Sequence, residues 1–198
     1  MSDDTVPETE PFVPFARWFE LANASEPLAE AMIVATTTPE GRPSARALLL
    51  KGVDPRGFVF YTNFESRKAE ELLGNPQAAL CFHWKSLGRQ VRIEGTTEIV
   101  TPEEADAYFA SRPRESRLGA WASAQSRPLD SRDELARAFA TVSHQYPEPA
   151  EVPRPPNWSG FRLIPEAVEF WQDRPHRLHD RVVFRRSGRA WQKQRLYP

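Results

Sequence analysis

The chain has 198 residues, among them 22 arginines and 4 lysines, yet a formal net charge of only −1. That near-neutral total excludes a histone-like coat for nucleic acid, which needs a large positive excess, and the 40% hydrophobic and 11% aromatic content excludes a disordered chain. No apolar run approaches the roughly 18 residues of a membrane span, and the acidic start MSDDTVPETEP lacks the basic and apolar blocks of a signal peptide. One cysteine, Cys81 in the apolar run 78–82, allows no internal disulfide, so a buried thiol, a cytoplasmic address and no membrane partner are expected. The charge is unevenly placed: residues 1–30 carry seven acids and one base, residues 174–198 eight bases and one acid.

Residues 1–13 read as a polar, flexible tail, and 14–198 as a single α+β domain without internal repeats. Phe15, Trp18, Phe19 and Ala22 share one helical face. Strands are expected at 31–37, 46–51 and 58–62, the last two separated by the turn Asp54-Pro-Arg-Gly57. A helix is expected from Arg67 after Ser66, ending near Gly74-Asn75-Pro76. Two more strands follow at 78–84 and 90–100. Thr101-Pro-Glu-Glu104 and Ser131-Arg-Asp-Glu134 are capping boxes that open helices to about Ser111 and Tyr146. A proline-rich link, 147–156, leads to a last β region, 161–195. Closely spaced strands with few helices between them favour a mostly antiparallel sheet or barrel with peripheral helices.

Glycine-rich nucleotide signatures, a nucleophile elbow and zinc-ligand spacings are absent from the sequence, so side chains must carry any phosphate recognition. Ser66-Arg67-Lys68 puts two cations in the first turn of a helix, against its dipole. An anion there reverses the penalty, although both side chains could equally splay into solvent. In the strand Arg46-Ala-Leu-Leu-Leu-Lys51, alternation separates Arg46, Leu48 and Leu50 from Ala47, Leu49 and Lys51. Tyr108 and Arg112 share a helix face, with Ser116 beyond the helix end: either a clamp for a phosphate ester or a solvated C-terminus. In a strand, Arg177, His179 and Arg181 would form one row of donors suited to an anionic or electron-rich ligand, or simply a solvated edge. Arg89-Gln90 and Ala122-Ser-Ala-Gln125-Ser126 add amide-rich pieces.

Taken in order, RALLLKG, GFVFYTN, SRKAEEL, NPQAAL, RQVRIEG, YFASRPRES, GAWASAQS, EFW-x5-RLHDR and a closing RLYP resemble the pyridoxine/pyridoxamine 5′-phosphate oxidase family from about Ala31 to Pro198. The EFW…RLHDR segment is that family's hallmark. Asn157-Trp-Ser-Gly160 departs from the family's usual Trp-Gly-Gly, and the acidic N-terminus from its Arg/Tyr-bearing segment.

The resemblance implies an FMN-binding split β-barrel and a homodimer with FMN at the subunit interface. The family's FMN contacts fall on Arg46, Leu49, Leu50, Lys51, Tyr61, Thr62, Arg67, Lys68, Gln90, Gln125, Ser126, Trp171 and Arg181. The substrate phosphate clamp falls on Lys51, Tyr108, Arg112 and Ser116, while Arg177 and His179 cover the pyridine ring and are the catalytic candidates. The implied chemistry is O2-dependent oxidation of pyridoxine or pyridoxamine 5′-phosphate to pyridoxal 5′-phosphate, releasing hydrogen peroxide. Two competing readings are a split-barrel flavin oxidase of the phenazine-pathway type and a non-catalytic module that stores flavin or pyridoxal phosphate. A single-stranded nucleic-acid groove would instead show salt-sensitive binding and no chromophore.

Overall fold

The computed structural model describes residues 6–198. The elements run α1 (Phe12–Asn23), β1 (Ala31–Thr37), β2 (Pro43–Leu49), β3 (Gly52–Asp54), β4 (Gly57–Asn63), α2 (Arg67–Gly74), β5 (Gln77–Trp84) and β6 (Arg89–Ile99). They continue with α3 (Pro102–Ser111), α4 (Arg114–Ala122), α5 (Arg132–Gln145), β7 (Trp158–Gln172), β8 (Asp180–Ser187) and β9 (Ala190–Arg195). All strand pairs are antiparallel, in the order β2-β1-β5-β6-β7-β4-β3, with β8 on β7 and β9 on β8.

The long strand β7 is what splits this barrel. On one side it follows β6 throughout; on the other, residues 158–163 pair with β4 and residues 167–172 pair with β8. The change of partner coincides with a register shift at Glu94/Gly95. A Cβ at Gly95 would stand 2.0 Å from the Ile164 carbonyl oxygen, so this close approach requires glycine.

Helix α1 closes the barrel with aromatic side chains. Phe15 meets Phe58 and Phe82 edge-on, and Trp18 meets Phe170 in the same way. Such edge-to-face pairs add to the area that these rings bury. The Glu10 carboxylate accepts from the Phe12 and Val13 N–H groups, satisfying donors that the first helical turn leaves open. The helix therefore begins three residues before Phe15. Val6 is fully buried in the core, and its carbonyl accepts from Lys193 Nζ. Within the segment expected to be a polar tail, Val6 thus finds a core site, and α1 already begins at Phe12.

Several sequence expectations shift. Strand β2 ends at Leu49, so Leu50 and Lys51 lie past it, and the short β3 pairs with β4 across the expected turn. Ser116 does not follow a helix end but sits inside α4, which restarts after Pro113. Arg177, His179 and Arg181 do not share a strand. His176 and Arg177 adopt left-handed backbone, φ 60° and 61°, and β8 begins only at Asp180. Cys81 is half-buried on β5 rather than fully buried, and its thiol is pushed up by partial burial. The capping box at Thr101 is complete, whereas at Ser131 the hydroxyl accepts from Glu134 N–H.

Candidate active site

A cavity of about 700 Å³ opens between the end of β2, strand β4 and the α3–α4 corner. Leu49, Lys51, Tyr61, Thr62, Tyr108, Arg112, Ser116 and Gln125, all singled out in the sequence, line it together. The sheet brings the first four into reach through Lys51 N–H, which donates to the Val59 carbonyl at 2.8 Å and ties the end of β2 to β4. Helix α3 supplies Tyr108 and, at its C-cap, Arg112.

The cavity floor is aromatic. Tyr61 stacks on Tyr108 with ring centres 4.0 Å apart and on Trp158 at 5.3 Å. The two tyrosine hydroxyls are pushed up by burial, so both remain phenols and donors at neutral pH. A Cβ at Gly160 would stand 2.7 Å from the Tyr61 ring, so a side chain there would displace the stack. The Arg112 guanidinium lies over Trp158, 4.8 Å from the ring centre, and its buried Nη1 has no hydrogen-bond partner. A buried cationic donor without an acceptor is costly, and the Trp158 face beneath the guanidinium offsets part of that cost.

At the other end, Lys68 is 7% exposed and donates to Thr62 Oγ1 at 3.1 Å, Ser66 Oγ at 3.0 Å and Gln125 Oε1 at 3.1 Å. Burial and the nearby Arg46 charge lower its pKa to about 8. Ser66 thus precedes the helix as expected, but its hydroxyl faces Lys68 instead of capping α2. Arg67 is exposed, and Ser126, next to Gln125, has φ +69°. Arg46 does not stand open toward the cavity: Nη1 donates to the Val34 carbonyl and Thr36 Oγ1, and Nη2 to Ser44 Oγ and Glu71.

None of the remaining sequence candidates lines this cavity, and Gln90, Trp171, His179 and Arg181 form a second cluster. Gln90, Trp171 and Arg181 are consecutive partners across β6, β7 and β8. The Trp171 and His179 rings lie 4.6 Å apart. His179 Nδ1 accepts from Arg174 N–H at 3.2 Å and lies 3.0 Å from the Asp173 carboxylate. Arg181 is paired with Glu169 at 2.8 Å, while Arg177 is exposed. Leu50 is buried beside the end of β2.

Three residues that matter here are absent from the sequence candidates. Trp158 gives no sign in sequence that it will lie under Arg112. Asn63, which lines the cavity, offers its amide toward the Ser123 carbonyl at 3.4 Å. Glu71 was visible in principle, since its position four residues after Arg67 on a helix is ion-pair spacing.

Comparisons with known proteins agree with this architecture. Residues 22–146 match the family model described as pyridoxamine 5′-phosphate oxidase, and 158–198 the model described as the pyridoxine 5′-phosphate oxidase C-terminal dimerisation region. A pyridoxine/pyridoxamine 5′-phosphate oxidase of Gluconobacter oxydans is 62% identical over 192 residues, covering 96% of each chain. One from Rhodospirillum rubrum is 60% identical over 197 residues, covering 96% of this chain and 98% of its own. Among solved structures, PhzG from Burkholderia lata, in complex with tetrahydrophenazine-1-carboxylic acid, superposes with a TM-score of 0.93 at 30% identity, covering 100% of this chain and 98% of its own. An FMN-binding, pyridoxamine 5′-phosphate oxidase-related protein of Nostoc punctiforme gives 0.78 at 21% identity, covering 96% of this chain and 100% of its own.

The forked antiparallel sheet with its peripheral helices is the split β-barrel of flavin-binding proteins. Within that class, the chain belongs to the pyridoxine/pyridoxamine 5′-phosphate oxidase family.

Proposed function

We propose that the protein oxidises pyridoxine 5′-phosphate and pyridoxamine 5′-phosphate to pyridoxal 5′-phosphate, using FMN and O2 and releasing hydrogen peroxide and, from the amine, ammonia. The observation that carries this reading is the cavity that Arg112 shares with Lys51, Tyr108 and Ser116. Two cations and two hydroxyls form a donor set for a phosphate ester.

The donor chemistry at the other end fits a second phosphate. Arg67 and Lys68 offer permanent or switchable charge to the FMN phosphate, and Thr62, Gln125 and Ser126 complete the polar rim. Arg46 supports this end, and Leu49, Lys51 and Tyr61 would form the wall against which the flavin lies, with Leu50 packed in the core beside them. When bound, FMN supplies the two-electron acceptor and the route to O2; the side chains bind, orient and exclude water.

The second cluster has its place in a homodimer. Trp171, Arg177, His179 and Arg181 all fall in the stretch that matches a dimerisation region, and Gln90 pairs with Trp171. Brought by a partner subunit, Gln90, Trp171 and Arg181 would complete the flavin site. Arg177 and His179 would lie over the substrate ring. The backbone N–H of Arg174 and the Asp173 carboxylate both lie against His179 Nδ1 and orient the imidazole ring.

The test is direct. The purified protein is expected to carry, or take up, a flavin absorption spectrum and to form aldehyde and peroxide from pyridoxine 5′-phosphate in air. A protein that cannot be reconstituted with FMN overturns the reading. A flavoprotein inert toward both phosphate esters favours a phenazine-type substrate, which has no phosphate for Arg112 to hold.

A further inference from the structure

Glu71 lies one helical turn beyond Arg67 on α2, with its side chain only 5% exposed. A carboxylate buried to that degree needs donor partners on both oxygens, and Glu71 has four. Oε1 accepts from Arg67 Nε at 2.9 Å; Oε2 accepts from Ser44 Oγ at 2.6 Å, Arg46 Nη2 at 3.3 Å and the Thr36 hydroxyl. Burial would raise its pKa, but the hydrogen bonds from Ser44, Thr36 and Arg67 and the Arg46 charge outweigh that and hold it at about 2. The partners come from β1, β2 and α2, so one carboxylate joins three elements beneath the cation cluster.

The consequence falls on the arginines. The Arg67 side chain is 63% exposed, and an unanchored arginine in that position samples many rotamers that binding must then freeze. Fixing Nε to a buried carboxylate removes most of that freedom and leaves the terminal nitrogens for an incoming anion. The same carboxylate also sits between two guanidinium groups that would otherwise repel each other. Arg46, Arg67 and Lys68 set against Glu71 leave a net of two positive charges, which matches a phosphate monoester dianion.

We propose that Glu71 is the positioning residue of the cofactor-phosphate subsite, holding Arg67 in the arrangement that receives the FMN phosphate, with Arg46 locked behind it. This inference rests on the FMN reading above. Glu71 touches no flavin; it acts through the two arginines.

The experiment compares dissociation constants for FMN and for riboflavin, which lacks the phosphate, in the wild type, Glu71→Ala and Glu71→Gln, by flavin fluorescence quenching. The expected result is an FMN Kd at least tenfold higher in Glu71→Ala and at least threefold higher in Glu71→Gln, whose single carbonyl oxygen cannot bridge both arginines. Riboflavin affinity should stay within twofold of wild type in both. A purely structural role would weaken both flavins in parallel, and that outcome overturns the proposal. So does an unchanged or tighter FMN Kd in Glu71→Gln, which would make charge rather than positioning its contribution. If Glu71→Ala does not fold, the isosteric Glu71→Gln carries the test. A wild type that binds neither flavin defeats the FMN reading itself, which is distinguishable from variants that bind FMN as the wild type does.

Discussion

Arg162, whose side chain is 4% exposed, donates from Nη2 to the Glu104 carboxylate at 2.7 Å across 58 residues of sequence. Glu104 also closes the Thr101 capping box and meets Arg56 at 2.9 Å. This one carboxylate thereby starts α3 and pins it to β7, so the pair governs where Tyr108 and Arg112 stand over the cavity. Hydrogen bonds from Arg162 and the Thr101 N–H lower its pKa to about 2.

Removing Glu104 strands a buried guanidinium with Glu98, at 3.3 Å, as its nearest remaining partner. Glu104→Ala is expected to destabilise the fold by about 3 kcal/mol, the low end for breaking a buried pair because Glu98 compensates in part. Denaturant unfolding of both proteins measures this; a loss below about 1 kcal/mol would show that the pair does not hold α3. The pH dependence has a definite sign. Both Glu104 and Glu71 have folded-state values of about 2 against a reference of 4.5. Their stabilisation is therefore complete above about pH 4.5 and is lost as pH falls from there toward 2.

Lys68 gives a second pH signature of the same sign in a higher pH window. Its folded-state value of about 8 lies below the reference 10.5, so the empty protein gains stability as pH rises from about 8 to 10.5, where the unfolded chain still holds the proton. An anion beside the ammonium reverses the preference and favours the charged form. FMN affinity should therefore fall as pH rises through about 8, while riboflavin affinity stays flat. Lys68→Met should abolish the dependence. Parallel curves for the two flavins would remove Lys68 from the phosphate site.

Arg112 and Arg67 are expected to separate substrate from cofactor. Arg112→Ala removes a charge-assisted donor worth about 1.5–3 kcal/mol, which corresponds to a roughly 10- to 100-fold loss in kcat/KM, expressed mainly in KM for the phosphorylated substrate. Flavin content should not change. Arg67→Ala should instead loosen FMN and spare KM once flavin is saturating. If Arg112→Ala releases flavin and leaves KM alone, the two phosphate assignments are exchanged.

Subunit mixing tests whether the two clusters meet across an interface. Assayed with substrate well below the wild-type KM, Arg112→Ala and Arg177→Ala homodimers should each show only a small fraction of wild-type activity. After unfolding and refolding together, heterodimers should contain one intact site and regain a substantial fraction of wild-type activity. Failure to complement, with heterodimers verified by differently tagged chains, would place both clusters in sites built from a single chain.

Much of the fold was legible because its signals are local. Thr101 with Glu104, Pro102 at the first helical position and the alternation in 58–62 all act within a few residues. The motif order carried the family in the same way. What stayed hidden depends on distant partners: α4 restarts immediately after Pro113, and the donor row at 177–181 breaks where two residues turn left-handed.

The sequence by itself determined most of the segments that become strands and helices and which arginines carry the family's motifs, since periodicity, capping and motif order are written along the chain. Only the tertiary structure decided what each charge does. Sheet register put Trp158 under Arg112 and buried Arg162 against Glu104, and the packing of α2 on β1 and β2 drew Glu71 beneath Arg46 and Arg67. The value of a charge depends on its burial and on the partner facing it, and both are properties of the folded assembly of strands rather than of neighbours in sequence.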